Sequence, residues 1–177
     1  MRLAISLGSN LPPRRRWLVL GRREILAVAG PQSDLRQGPV YESEPEDCPP
    51  GSPPFLNTAM EIDVTGHDPP GFLRICQEIE KRLGRPEKHL RTENAPRTLD
   101  IDLLYIVGSS YESGDLTIPH PRLAARSFVL QPLAAIAPDR RIRPHGPTIA
   151  SLLAALPPDT NRLRDVTDQV AWDAPVA

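Results

Sequence analysis

The 177-residue sequence has few cysteines and no excess of charge of either sign. Its two cysteines, Cys48 and Cys76, are too far apart to form a CxxC pair, so the sequence predicts neither a disulfide framework nor a zinc site. Acidic residues number 22 and basic residues 21, which gives a net charge of −1. This balance argues against a protein that binds nucleic acid or a membrane surface mainly through charge.

Long apolar runs are also absent. No run approaches the roughly 20 residues that a membrane span requires. The first residues lack the apolar stretch and the small-residue cleavage site of a signal peptide. We therefore expect a cytoplasmic protein. The length predicts a single domain over residues 1–156, followed by a polar tail over residues 157–177 that we expect to be poorly ordered.

Proline is the residue in clear excess, with 22 of 177 residues, roughly 12% against an average near 5%. The prolines are spread from Pro12 to Pro175 without a repeat, and five of them lie in one predicted loop at residues 44–54. Others lie at predicted helix starts and around a second loop at residues 85–96. We expect these prolines to stiffen the loops, because a stiff loop loses less entropy when it closes over a ligand.

The pattern of apolar residues predicts the order strand, helix, strand, strand, helix, strand. The predicted strands cover residues 3–7, 55–64 and 98–107, and the predicted helices cover residues 12–29 and 69–83. A further strand is predicted within residues 35–43, and because of Pro39 it either lies at a sheet edge or begins only after the proline. This order is typical of an α+β protein with a ferredoxin-like βαββαβ core. Additional C-terminal elements are expected: an extended piece at residues 116–118 and helices near residues 131–137 and 149–156.

Asp100 and Asp102 form the most informative pair of residues. In a strand they share one face, about 6.6 Å apart, while Leu99, Ile101 and Leu103 point to the opposite face. Two carboxylates on one face repel each other unless a cation lies between them, and Mg²⁺ bound to substrate phosphates is a common solution. The alternative is an ordinary solvated face with two unrelated aspartates.

Basic residues flank this predicted strand. Arg97 lies directly before it, and His120 and Arg126 follow it in the chain. The preceding loop adds three residues that we expect, as a cluster, to contact phosphate: Arg85, Lys88 and Arg91. Carboxylates for Mg²⁺ beside cations for phosphate oxygens indicate phosphoryl transfer. The sequence contains neither GxxxxGK[ST] nor GxGxxG, so a P-loop and a Rossmann fingerprint are excluded.

Two of the three phenylalanines, Phe55 and Phe128, fall on no predicted core stripe. They either pack in the core or form two rings that sandwich a flat ligand. Asn57 shares a strand face with Phe55, where asparagine is uncommon. An amide at this position could bind the hydrogen-bonding edge of such a ligand.

Six segments together resemble the 6-hydroxymethyl-7,8-dihydropterin pyrophosphokinases of folate biosynthesis. They are GSNL at residues 8–11, FLN at 55–57, PRTLDID at 96–102, LTIPHP at 116–121, RSFVL at 126–130 and PL at 132–133. The resemblance covers roughly residues 2–156. It implies a ferredoxin-like, Mg²⁺-dependent pyrophosphokinase that transfers the terminal pyrophosphate of ATP to the hydroxymethyl group of the pterin and releases AMP.

The resemblance also implies roles for individual residues. Two Mg²⁺ ions would be bound by Asp100 and Asp102. The catalytic group would comprise these aspartates with Arg97, His120 and Arg126. ATP would be bound by Gln77, Glu80, Arg85, Arg97, Leu103, Thr117, His120 and Arg126. The pterin would be bound by Ser43, Glu44, Phe55, Asn57 and Phe128. The partners would be these two small molecules alone, with no nucleic acid and no membrane, and the protein would be a monomer.

Three residues of the loop at 85–96 depart from the family pattern. Ala95 replaces a glycine, Asn94 replaces a tryptophan found in some members, and Glu87 replaces a common arginine. These changes affect the expected rate enhancement by the loop more than substrate binding. The alternative from another class is a non-catalytic ferredoxin-like module that binds a nucleotide or a partner. Retention of the full group of site residues favours the enzyme.

Overall fold

The structure, a computed structural model, describes residues 1–30, 34–90, 92–114, 116–157 and 162–173, with the backbone alone at Lys88. Within these residues the chain forms, in order, β1 (Arg2–Ser9), α1 (Arg14–Ala29), β2 (Leu35–Gln37), β3 (Tyr41–Ser43), β4 (Phe55–Asp63), α2 (Pro69–Arg82), β5 (Asp100–Ile106), β6 (Tyr111–Ser113), β7 (Leu116–Ile118), α3 (Ser127–Ile136), α4 (Ile149–Ala154) and β8 (Arg164–Asp165). Helices and antiparallel strands together make this an α+β fold. Among the helices described, none has the length and apolarity to cross a bilayer.

The main sheet has the strand order β5-β1-β4-β3-β8, and β2 pairs with β4 beside β3. All of these pairs are antiparallel. The strands β6 and β7 form a separate two-stranded sheet. The register places Gly8 of β1 next to Asn57 of β4 on one side and next to Asp100 of β5 on the other. Residues from three strands therefore meet at one end of the sheet.

Both faces of the sheet are covered. Alternation in β4 assigns successive residues to opposite faces, but the burial of the face that carries Asn57 and Glu61 does not follow from it. On one face Leu56, Met60 and Ile62 join the core formed with α1 and α2. On the other face Ala59 packs with residues of α3 and α4. The start of α2 follows its sequence signals, because the Asp68 side chain accepts a hydrogen bond from the Gly71 N–H (2.8 Å) and prolines occupy the first helical positions.

The single strand predicted within residues 35–43 is two strands, β2 and β3. Pro39 between them has no N–H to donate to the sheet. At Gly38 the chain passes too close to other backbone for a side chain, since a Cβ there would lie 2.7 Å from the Pro132 carbonyl oxygen and 2.9 Å from the Ala59 carbonyl oxygen. The strand is therefore interrupted at residues 38–40, and both parts pair with β4.

Two C-terminal elements also differ from the prediction. The third helix begins at Ser127 rather than near residue 131, so Phe128 and the buried Val129 belong to it and Pro132 lies inside it. Residues 111–113, for which no strand is predicted, form β6, which pairs with β7. Both elements are short, and their bounds depend on tertiary contacts that cannot be predicted from the periodicity of apolar residues.

Residues 162–173 are part of the fold, which differs from the expectation of a poorly ordered tail. β8 pairs with β3, and Val166 and Val170 are buried in the core, with 1% and 6% of their surfaces exposed. The Thr167 hydroxyl accepts a hydrogen bond from the Val40 N–H (2.9 Å). Two valines among polar residues are too sparse a signal for a strand. Residues 158–161 and 174–177 of the same tail lie outside the described residues.

A fully buried carboxylate, Glu61, lies on the α3 face of β4. It accepts hydrogen bonds from the Tyr105 hydroxyl (2.5 Å), from Arg2 Nε (3.2 Å) and from Arg140 Nε (3.0 Å). Burial alone would raise the pKa of Glu61, but the hydrogen bonds and charges of these partners lower the pKa below its ordinary value. The charged carboxylate thus connects β1, β4, β5 and the segment after α3.

We expect the replacement Glu61→Gln to lower the free energy of unfolding by about 3 kcal/mol at neutral pH, because it leaves two arginines without their buried counter-ion. Since the folded pKa is lowered, the carboxylate stabilises the fold above its unfolded pKa of about 4.3. This contribution is lost as the pH falls through the lower folded pKa. Urea unfolding at a series of acidic and neutral pH values measures both effects.

The wild type should lose more stability than Glu61→Gln on acidification. Glu112→Gln, at an exposed position of β6, is the matched control and should behave as the wild type. The same acid dependence in the wild type and in Glu61→Gln would contradict the assignment.

Candidate active site

A cleft of about 520 Å³ opens on the α3 face of the sheet, at the end where β1, β4 and β5 bring Gly8, Asn57 and Asp100 together. Its lining comes from these strands, from β3, from the start of α3 and from the loops at residues 44–54 and 85–96. A Cβ on Gly8 would lie 3.0 Å from Asn57 Oδ1 and 3.8 Å from the Asp100 Cβ. The absence of a side chain at Gly8 therefore keeps the floor of the cleft open.

Asp100 is held between two arginines. Arg85 Nη1 donates to its Oδ1 (2.6 Å), and Arg97 Nη2 donates to its Oδ2 (2.7 Å). Burial alone would raise the pKa of Asp100, but the two guanidinium groups lower the pKa below its usual range. Asp100 is therefore ionised at neutral pH.

Asp102 lies in the same cleft lining, as expected for two residues on one face of β5. Its Oδ2 accepts a hydrogen bond from Arg126 Nη1 (3.0 Å). No group of three or more histidine, cysteine, aspartate or glutamate side chains in the described part of the chain is placed to hold a metal ion. A metal ion at this pair of aspartates would need its remaining oxygen ligands from the substrate and water.

Glu80 of α2 lies behind this cluster rather than in the cleft lining. It forms a salt bridge with Arg85, and its Oε1 accepts a hydrogen bond from the Ile101 N–H (2.7 Å). Burial raises the pKa of Glu80 to about 7, although the charge of Arg85 opposes this shift. Glu80 is thus placed to orient Arg85 toward Asp100.

Phe55 and Phe128 both line the cleft, and each ring has an arginine over its face. The Arg97 Cζ lies 4.9 Å from the centroid of the Phe55 ring, and the Arg126 Cζ lies 5.6 Å from that of Phe128. Cation–π contacts at this distance hold the guanidinium groups against the rings. The two phenylalanines and the arginines predicted to contact phosphate therefore line one continuous cleft.

Asn57 is buried beside the rings, as is Ser43 at the end of β3. Asn57 Nδ2 donates to Ser43 Oγ (2.8 Å). The amide orientation is thereby fixed, and Oδ1 lies over Gly8 at the cleft floor. Glu44, the next residue after Ser43, also lines the cleft.

Four other predicted ATP-side residues lie outside the cleft lining. Gln77 is exposed on α2, and the Leu103 side chain belongs to the core on the opposite face of the sheet. Thr117 of β7 lines a separate groove. The backbone N–H of His120 donates to the Leu104 carbonyl oxygen at the edge of β5 (2.7 Å), and its Nδ1 accepts a hydrogen bond from the Arg122 N–H (3.1 Å).

Burial lowers the pKa of His120, and the Arg126 charge contributes to this, while the Asp102 charge opposes it. The imidazole is therefore neutral at neutral pH, and its pKa responds to the charges of Asp102 and Arg126. Of the expected phosphate contacts in the loop at residues 85–96, Arg91 and the side chain of Lys88 lie outside the described residues.

Asn10 supports the cleft from behind, a role that the sequence reasoning missed. Its side chain is fully buried and connects the two cleft loops: Nδ2 donates to the Pro53 carbonyl oxygen (3.2 Å), and Oδ1 accepts from the Arg97 N–H (2.7 Å). The loops also meet directly, because Asn94 Nδ2 donates to the Asp47 carbonyl oxygen (2.7 Å). An asparagine directly after a strand is the one sequence signal for this role. That signal does not predict contacts with Pro53 and Arg97, which are distant in the chain.

Comparisons with known proteins identify the family of the chain. Residues 4–138 match the family model of 7,8-dihydro-6-hydroxymethylpterin-pyrophosphokinase. The chain is 35% identical over 162 residues to a 2-amino-4-hydroxy-6-hydroxymethyldihydropteridine pyrophosphokinase of Methylorubrum extorquens, covering 89% of this chain and 94% of that protein. It is 38% identical over 157 residues to the protein of the same name from Pseudomonas aeruginosa, covering 88% and 92%.

Two longer proteins are similar over part of their length. The folic acid synthesis protein fol1 of Schizosaccharomyces pombe is 36% identical over 135 residues, which are 76% of this chain but 18% of that protein. The fold resembles the crystal structure of Plasmodium falciparum HPPK-DHPS with pteroate, with a TM-score of 0.63 and 12% identity over 86% of this chain and 44% of that one. This chain thus spans less than half of these longer proteins. Because the family model matches well over half of its residues, the chain belongs to the 7,8-dihydro-6-hydroxymethylpterin-pyrophosphokinase family.

Proposed function

We propose that this protein transfers the terminal pyrophosphate of ATP to the hydroxymethyl group of 6-hydroxymethyl-7,8-dihydropterin and releases AMP, as a step of folate biosynthesis. One observation carries the proposal: a single cleft combines the two β5 aspartates and the arginines that pair with them with two phenyl rings and a fixed, buried amide. The names of the bacterial relatives support the same reaction. The strand order β5-β1-β4-β3 supports a ferredoxin-like core.

Asp100 and Asp102 would hold the Mg²⁺ ions. The donor set fits, because Mg²⁺ is usually bound by one or two carboxylates together with substrate phosphates and water. When bound, two Mg²⁺ ions would neutralise phosphate charge and align the reacting oxygens. Arg85 and Arg97 hold Asp100 ionised before any metal arrives, so the carboxylate needs no deprotonation to act as a ligand.

Arg85, Arg97 and Arg126 would bind the phosphate oxygens of ATP. A guanidinium group has five N–H donors, so each arginine keeps donors for phosphate beyond those that it gives to an aspartate. The transfer needs no covalent intermediate with the protein, and its rate depends on positioning and on stabilisation of negative charge. Thr117 and His120, beside the edge of β5, would extend the ATP site beyond the cleft, whereas the Leu103 side chain and Gln77 of α2 lie on the opposite face of the sheet and have no contact with the cleft.

The pterin ring would lie against Phe55 and Phe128, with Asn57 at its edge. Because Asn57 Nδ2 already donates to Ser43, its Oδ1 is left to accept a hydrogen bond from a pterin N–H. Since an arginine lies over each ring, phosphate groups bound by these arginines would lie directly beside the pterin. This arrangement would bring the hydroxymethyl oxygen toward the phosphorus atom that it attacks.

The activity itself is tested by product analysis. With ATP, Mg²⁺ and the pterin alcohol, we expect AMP to form in a 1:1 ratio with pterin diphosphate, and we expect EDTA to stop the reaction. The measurement is chromatography of nucleotides with and without the pterin. ADP as the product, or AMP formation that does not depend on the pterin, would refute the proposal, and no turnover at all would favour the non-catalytic binding module.

The metal-binding role is tested at Asp102. We expect Asp102→Asn to lower kcat at least about a hundredfold, because the site loses charge stabilisation of the transferred group. The fold should survive, since Asp102 is partly exposed and pairs with one arginine, Arg126, among the described side chains, whereas removal of Asp100 would take a counter-ion from both Arg85 and Arg97. The measurements are AMP release and thermal unfolding. The control is Asp173→Asn, at an exposed carboxylate near Arg22; turnover of Asp102→Asn equal to that control would contradict the role.

The pterin-binding role is tested at Phe128. Loss of the ring in Phe128→Ala should raise the Kd of the pterin alcohol about tenfold to a hundredfold and that of a non-hydrolysable ATP analogue by less than about threefold, given the free energy typical of base–aromatic stacking. Phe128→Tyr keeps the ring and should bind nearly as the wild type. Calorimetric titration measures both ligands, and equal losses for the two would exclude the stacking role.

A further inference from the structure

The loop at residues 44–54 carries pterin-side residues at both of its ends. It begins directly after Ser43, the last residue of β3, and it ends directly before Phe55, the first residue of β4. Ser43 and Phe55 are opposite each other in the register of the two strands. The separation of these two strand ends therefore sets the spacing between the residues that would contact the pterin.

A single guanidinium group joins the two stems of this loop. Arg14, the first residue of α1, donates from Nη2 to Glu42 Oε2 (2.7 Å) and from Nη1 to the Pro54 carbonyl oxygen (2.8 Å). Glu42 is the residue before Ser43, and Pro54 is the residue before Phe55. The contacts are partly buried, with 28% of the Arg14 side chain and 20% of the Glu42 side chain exposed.

A second arginine, in the C-terminal segment at residues 162–173, also binds Glu42. Arg164 of β8 pairs with Glu42 in the sheet, and its Nη2 donates to Glu42 Oε1 (2.5 Å). Burial of Val166 anchors this segment in the core. Both oxygens of Glu42 are thus bound by arginines, one on α1 and one on a segment beyond the part of the chain that the family model matches.

We propose that Arg14 is a positioning residue for the pterin side of the cleft, acting with Glu42 and Arg164. It does not contact the substrate. It holds the two stems together, so that Ser43 and Phe55 keep the spacing that a bound ring requires. The planar fork of a guanidinium can donate to the carboxylate and to the carbonyl at the same time, which a lysine ammonium does less well. The identity of the ring rests on the proposed function.

The experiment compares the KM of both substrates in variants of adjacent arginines. We expect Arg14→Ala to raise the KM of the pterin alcohol about tenfold, the loss typical of hydrogen bonds to charged groups, with the KM of ATP nearly unchanged. Arg15→Ala is the matched control, because Arg15 lies next on the same helix and contacts Gln169 instead of the loop stems. Arg15→Ala should leave both KM values unchanged. General damage to the fold would not separate the two substrates.

Arg14→Lys keeps the charge and should raise the KM of the pterin alcohol less than Arg14→Ala, so it tests the inference even if the alanine variant unfolds. An unchanged KM of the pterin alcohol in both Arg14 variants, or equal increases for pterin and ATP, would overturn the positioning role. If the wild type itself formed no AMP with the pterin alcohol, the proposed function and this inference would both be overturned. Normal wild-type turnover separates a failure of the positioning role from a failure of the function.

Discussion

The salt bridges of Asp100 with Arg85 and Arg97 determine the geometry of the whole site. The two arginines lie at opposite ends of the loop over residues 85–96, so one carboxylate on β5 holds both stems of that loop. Glu80 supports Arg85 from behind, and Asn10 binds the backbone of Arg97. Asp100 thus connects the two stems of the loop, and under the proposed function the same carboxylate would also bind metal.

The loop at residues 44–54 is also held at both stems by one side chain, but here that side chain is an arginine instead of a carboxylate. There an arginine, Arg14, lies outside the loop and binds both stems, whereas the first loop contributes two arginines to one external carboxylate. Both loops are rich in proline, with five prolines in residues 44–54 and with Pro86 and Pro96 in the other. Fixed stems and restricted backbone lower the entropy that each loop loses when it orders over a ligand.

Local patterns predicted the main elements and much of the site. Alternation placed the residues of β4 on the correct faces, and the i, i+2 spacing placed Asp100 and Asp102 in one cleft. What the sequence did not predict depends on residues far apart in the chain. The Glu61–Arg140 pair, the Asn10–Arg97 contact and the pairing of β8 with β3 each join segments with no shared local pattern. The single-domain boundary, the monomeric state and the cytoplasmic location remain predictions.

The glycine at the floor of the cleft links the accuracy of strand pairing to catalysis. Gly8 lies between Asn57 and Asp100 because three strands share one register. Side chains alternate between the faces of a sheet, so a slip of β1 by one residue would turn the Leu7 or Ser9 side chain toward the cleft and remove the gap. The same slip would turn Leu3, Ile5 and Leu7 away from the core formed with α1 and α2, so the sheet would lose packing as well as the open floor of the cleft. Correct pairing of β1 is therefore a condition of activity as well as of stability.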